Sequence, residues 1–480
     1  MEHFATMSIL QRPLRKTADD MISLYSHGES CISFYSSFTA KPLYESNYKD
    51  LQQELMQSRV SLMDQTAASS DCMSFRNSFY SQEDVLDEEI KRLIPLMQIV
   101  ERFSQKLFED PPPTERTCQK VMQILWTLLK ALEKSSKCQI KHENKEKMTN
   151  PSVASLAVNY GAIPVLTSIM KTFKGSLKAQ IRGILLLGAL GENSAENQDV
   201  IAECHGVSYI LAALVHPQHS KSSRLCLEAC DALVKVTSHS TRCVFQLVHG
   251  DGVRTIHATM RLFTKKHEIQ EYALRLLNHL AKHAHQTTER GTVRKSSRNG
   301  SQKSFQLLEF LENPELIELV VYVVSRHRKV KPILKHGGSL LNRLAIYGTS
   351  RTKSSLVWSK AVPVVVKISK EYISNASTQL ECIDTLLALC IERPEARDMV
   401  VEDGCAFLFE SMATHRTHVY LQQKACRMLH MLCDHRQTIV PISKCFRKNS
   451  KYRKILQTIE FEHRAICGIL VAQIIHGLSA

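Results

Sequence analysis

Two groups of side chains have the types and spacing for metal chemistry. His279, His283 and His285 form an HxxxHxH string, and its first two members share a face if the segment is helical. Cys426, His430 and Cys433 stand at i, i+4 and i+7, a similar geometry with softer ligands. Either set could bring three donors to a zinc ion. Neither has a CxxC pair to complete a four-ligand site. Both lie in apolar helical patterns, where small thiols replace alanine and a histidine suits the last carbonyls of a helix. No metal and no cofactor is therefore expected. The chain also has no GxxxxGKS/T, no GxGxxG after a strand, no GxSxG, no HExxH and no kinase signature. A catalytic role is not expected.

Charge chemistry has more to work with. RGTVRKSSRNGSQK (290–303) and KCFRKNSKYRK (444–454) are dense in cations, as phosphate contacts or a nuclear address would be. Arg294-Lys295-Ser296-Ser297 has the pattern of a basophilic kinase substrate, so Ser296 and Ser297 are candidate phosphorylation sites that would cut the local positive charge. Sequence-specific RNA binding would want stacking aromatics, and Phe, Trp and Tyr total only 6%. Residues 1–110 carry 17 Asp/Glu against 11 Lys/Arg, while the whole chain is +15, which leaves about +21 on residues 111–480. A basic body with an acidic extension implies an acidic partner, or masking by the extension itself.

What positions these side chains is a repeat. LLNHLAKH (276–283) and LLNRLAIY (340–347) match at five places. The position held by His279 and Arg343 recurs at Ala189, Lys235, Ala388 and Met431, in steps of 46, 44, 64, 45 and 43 residues. Such units are the length of armadillo or HEAT repeats. The long step contains 286–305, a stretch without apolar periodicity that reads as an inserted basic loop. A second landmark runs 27 to 29 residues ahead of the first, at Gly161, Gly206, Gly252, Glu315, Lys360 and Gly404. Glycine there points to a turn that needs φ > 0 or close backbone approach, so the turns at Glu315 and Lys360 should differ.

The glycine-led GAIPVL helix, the LxxLA helix and the short polar loop between units resemble the armadillo repeat. The resemblance covers 115–445, with six clear units and one degenerate unit at 115–160. It implies an all-α, right-handed superhelical solenoid whose third helices line a concave groove for extended peptides. The importin-alpha subfamily places Trp and Asn four residues apart in that groove. The matching pairs here are Leu185/Ala189, Asp231/Lys235, Arg275/His279, Ser339/Arg343, Asp384/Ala388 and Arg427/Met431, and none is Trp/Asn. Lys235, Arg275, Arg343 and Arg427 instead set cations along the groove, closer to the beta-catenin style of gripping acidic ligands. Asp231 and Asp384 interrupt the stripe. Arginine forms bidentate bonds with carboxylates, which suits such a role.

Around the solenoid we expect a loosely ordered acidic extension over 1–82 and a helix over 83–114 broken by Pro111-Pro112-Pro113. A basic segment and one capping helix are expected over 446–480. Cys230, Cys382, Cys390, Cys426 and Cys433 fall in apolar helices and read as buried reduced thiols. The opening MEHFATMSILQRPLRK lacks an apolar h-region, and no run is long enough for a membrane span. These features describe a cytoplasmic scaffold or adaptor that binds an extended, acidic protein segment. Two other readings are a nucleic-acid binder and a structural cytoskeletal or axonemal protein on acidic tubulin, with the nucleus or cilium as its place.

Overall fold

The structure is a computed structural model that describes residues 153–293, 311–402 and 405–479, with isolated helical positions between 120 and 130. The chain divides into two compact units, Met1–Val85 and Leu86–Ala480. All described residues belong to the second. The expected extension, the helix over 83–114, most of the degenerate unit over 115–160, Gly404, and residues 294–310 with Ser296 and Ser297 lie outside the described residues.

Among the described residues the secondary structure is helix, with no strand. The helices fall into sets of three. Unit I is α1 (Val153–Asn159), α2 (Ala162–Thr172) and α3 (Leu177–Gly191). Unit II is α4 (Ala195–Glu203), α5 (Gly206–Val215) and α6 (Ser223–Val236). Unit III is α7 (Thr241–His249), α8 (Gly252–Leu262) and α9 (His267–Val293). Unit IV contributes α10 (Pro314–Arg326) and α11 (Lys331–Tyr347). Unit V is α12 (Ser350–Trp358), α13 (Ala361–Glu371) and α14 (Ala376–Glu392). Unit VI is α15 (Pro394–Glu402), α16 (Ala406–Thr414) and α17 (Val419–Cys433). Unit VII is α18 (Arg436–Lys448), α19 (Ser450–Glu462) and α20 (Arg464–Ser479).

Two boundaries differ from expectation. The repeat does not stop at 445. Residues 436–479 form three helices rather than a basic segment and one cap, and α20 packs on α17 as α17 packs on α14. Unit VII hides because it has no leading glycine and no LxxLA; its last helix instead buries Cys467, Val471, Ile474 and Leu478. The backbone of α9 continues to Val293, into the stretch read as a loop from 286. No proline stops it there, and the first glycine is Gly291.

The chain caps its helices according to their place in the unit. Most first and third helices start with a side-chain cap, α11 and α18 being exceptions. The hydroxyls of Ser176, Ser194, Ser222, Ser240 and Thr349 and the amide oxygen of Asn375 accept backbone N–H groups one turn on. Four second helices start instead from a left-handed residue: Gly161 at φ 79°, His205 at 57°, Asp251 at 56° and Lys360 at 61°. The landmark glycines thus have two roles. Gly161 supplies the left-handed turn. Gly252 follows that turn, and a Cβ there would lie 2.3 Å from the Leu247 carbonyl oxygen, so it is needed for close approach. The turn at Lys360 does not differ after all, since the lysine itself adopts the left-handed conformation. The turn near Glu315 does differ: Asn313 caps α10 from φ −62°, with Pro314 following.

Each second helix packs on the next second helix, and each third helix on the next third. The apolar stripes close between the columns; Leu276, Leu277, Leu280 and Ala281 of the founding repeat are all buried, as are Leu340, Leu341, Leu344 and Ala345.

Candidate peptide groove

The third helices α3, α6, α9, α11, α14, α17 and α20 form one continuous column. Four of them, α3, α9, α14 and α17, are tied to their own unit at the first turn. Gln180, Gln270, Gln379 and Gln422 are buried, and their amide nitrogens donate to two carbonyls at the end of the preceding helix at 2.7–3.0 Å. Every one stands nine residues before the repeat's register position, a periodic signal the apolar pattern concealed. Between units, His219, His327, His415 and His463 donate from Nε2 to carbonyls of Lys174, Thr264, Ile373 and Arg416 at 2.7–2.9 Å. These bonds satisfy buried backbone acceptors and fix the spacing of successive third helices.

Several of the predicted groove residues are engaged within the column. Lys235 pairs with Asp231 at 3.0 Å and with Glu192 of the previous unit at 3.6 Å. Burial pulls its ammonium down, but the two carboxylates outweigh that and leave it raised. Arg343 donates through Nε to Asn278 Oδ1 at 3.0 Å, so the Asn shared by the two founding motifs bridges units III and IV. Its counterpart Asn342 donates to the Glu381 carbonyl and to Thr385 Oγ1, both at 3.0 Å. Ser339 donates to Glu381 at 2.8 Å, and Asp384 pairs with Lys424 at 2.7 Å. Glu192, Asn278, Glu381 and Lys424 were not legible as groove residues, because each matters only through a neighbour one unit away.

Arg275 and Arg427 remain exposed and make no ion pair among the described residues. Around Arg275 the field is positive. His279 is half-buried and held down at about 4, first by burial and then by Arg275, His283, His336 and Lys282. Burial, with Arg275 and Lys335, also lowers His336. Glu271, one turn before Arg275, lines a cleft of about 550 Å³ that continues along Lys335, His336, Ser339 and Glu381. The face can therefore offer open guanidinium groups to carboxylates, beside neutral imidazoles that would gain a proton if a carboxylate arrived.

The two metal candidates are described only in part. Cys426 is buried and engaged with Cys467, Cys433 is half-buried, and the His285 side chain lies outside the described residues. Among the described residues no three His, Cys, Asp or Glu side chains converge on a metal position. Cys230, Cys382, Cys390 and Cys426 are buried thiols, and burial pushes Cys390 and Cys433 up to about 12. Among the described residues no helix is long and apolar enough to cross a membrane.

Stacked three-helix units of this kind, with a left-handed entry into four of the second helices and a continuous third-helix column, define an armadillo-like repeat fold. No family model matches the chain, and no curated protein is significantly similar to it. An engineered protein from the Northeast Structural Genomics Consortium is similar over 80% of this chain and 99% of its own, with a TM-score of 0.46 and 15% identity. A designed armadillo repeat protein solved with the peptide (KR)4 is similar over 60% of this chain and 99% of its own, with a TM-score of 0.42 and 13% identity. A second designed armadillo repeat protein gives a TM-score of 0.43 over the same shares, again at 13% identity. The likeness is one of architecture alone.

Proposed function

We propose that this protein is a non-catalytic, cytoplasmic scaffold that holds an extended, acidic segment of another protein along its third-helix face. The observation that carries this reading is the cationic centre of the face: Arg275 is open, and His279 sits at about 4 among Arg275, His283, His336 and Lys282. An acidic side chain placed there would meet an unpaired guanidinium, and its charge would favour proton uptake by His279. Arg427 supplies a second open cation three units further along. Lys235 and Arg343, already bonded to Asp231, Glu192 and Asn278, act as parts of the wall rather than as grips. Asp231, Ser339 and Asp384 are likewise wall residues, each with a partner on the same face.

The reading is tested by fluorescence anisotropy with two labelled peptides of equal length, one rich in Glu and Asp and one rich in Lys and Arg. The acidic peptide should bind the full chain and weaken steeply as salt rises, because exposed ion pairs are screened. Preference for the basic peptide, or indifference between the two, would exclude an acidic ligand.

A further inference from the structure

The first helices also stack on one another: α7 lies on α4, and α18 lies on α15. Where α7 covers α4, the contact uses the fourth, fifth, eighth and ninth residues of α4. Cys243 donates to the Gln198 carbonyl at 3.1 Å and Ser240 to Asp199 at 2.6 Å. Gln246 donates to the Ala202 carbonyl at 2.5 Å, and Arg242 pairs with Glu203 at 2.6 Å. In unit V the fourth residue of α12, Lys353, pairs with Glu392, and Arg393 donates to the Ser350 carbonyl at 2.9 Å, both just ahead of α15. The α4 face thus forms a socket for the following unit, and α12 is gripped by the following unit at its first and fourth residues.

The register carries over to α18. Its third residue, Thr438, bonds the Leu432 carbonyl, just as the third residue of α4, Asn197, bonds the Leu190 carbonyl at 2.8 Å. The socket positions of α18 are then Ile439, Val440, Ser443 and Lys444. Among the described residues no first helix of a following unit covers them, and Gly477 of α20 borders them on one side. With Arg447 and Lys448 they line an open cleft of about 540 Å³, and Val440 is 68% exposed. Lys444, Arg447 and Lys448 make no ion pair among the described residues. Two changes distinguish this socket from that of α4. Lys444 stands where Glu203 stands, so the charge is reversed. Ile439 and Val440 stand where Gln198 and Asp199 stand, so the floor is aliphatic.

We propose that this socket receives an amphipathic helix from a partner protein, with an apolar face on Ile439 and Val440 and a carboxylate paired with Lys444. That carboxylate takes the place Arg242 has in α7. Arg447 and Lys448 accept further acidic side chains along the same helix. Nucleic acid fits less well, because the floor is aliphatic and no aromatic ring lines it for stacking. The cationic run at 444–454 is on this reading the rim of a helix socket, separate from the third-helix face.

The probe is a labelled, lactam-stapled peptide with the sequence of residues 240–249, carrying Arg242→Glu and Cys243→Leu. It should bind the full chain. Lys444→Glu and Val440→Asp should each weaken binding about tenfold, and both alter exposed side chains, so thermal melts should be unchanged. A second peptide that keeps Arg242 should prefer the Lys444→Glu protein. The proposal is overturned if neither peptide binds at millimolar concentration, or if Lys444→Glu leaves the first peptide's affinity unchanged. It is equally overturned if duplex RNA or phosphatidylserine vesicles bind through Lys444 while the peptide does not.

Discussion

At the scale of single residues, burial and neighbouring charges decide what each candidate side chain can do. His279 was a metal candidate and a groove candidate. It is neutral near pH 7, because burial and its cationic neighbours hold it down at about 4. The unfolded chain would protonate the same imidazole near 6.5. The unfolded state therefore takes the proton first, and stability should fall as pH drops from about 6.5 to about 4. Urea melts across that range should show a shallower loss for His279→Gln than for wild type; identical pH profiles would exclude His279 as a source of the loss. His283 and His336, also lowered by burial, act in the same direction. Gln379 is a different case: its amide donates to the Ser369 and Tyr372 carbonyls and accepts from Ser369 Oγ at 2.6 Å. Gln379→Ala should cost about 1–3 kcal/mol, because buried acceptors lose their donors. A cost near zero would mean that water replaces the amide.

At the scale of elements, the apolar spacing and the repeat register placed the second and third helices of six units, but the stretch read as a short polar loop between units holds first helices such as α4, α7, α12 and α15. They did not separate the two tasks of the landmark position. A glycine at φ > 0 and a glycine under a carbonyl read alike in a sequence, because both simply lack a Cβ. The two tasks predict opposite responses. Gly252→Ala should destabilise by about 2 kcal/mol or more, since the new Cβ would fall 2.3 Å from the Leu247 oxygen. Lys360→Gly should be neutral or stabilising by up to about 1 kcal/mol, since it relieves a left-handed lysine at φ 61°. Chemical denaturation of both variants checks the pair, and a large loss in Lys360→Gly would show that the side chain, rather than the turn, matters there. Unit VII escaped notice for a related reason. Its helices bury the usual stripe, but Cys467, Val471, Ile474 and Leu478 do not spell the motif that revealed the others.

At the scale of the molecule, the positive balance of the chain does not by itself define a binding face. Of the four groove cations read from the sequence, Lys235 and Arg343 are bonded within the column, and Arg275 and Arg427 are open. Lys235 is engaged first by Asp231, an i,i+4 pair legible in the sequence, and then by Glu192 of the previous unit; Arg343 is engaged by Asn278, 65 positions away, which no local pattern carries. The central claim is that the open pair sets the sign of the ligand. It is tested most directly by measuring the affinity of the acidic and basic peptides for a protein carrying Arg275→Glu and Arg427→Glu. Loss of acidic-peptide binding by about 10- to 100-fold, with a gain for the basic peptide, is the predicted result. Unchanged affinity for the acidic peptide, in a variant that melts like the wild type, would contradict the account.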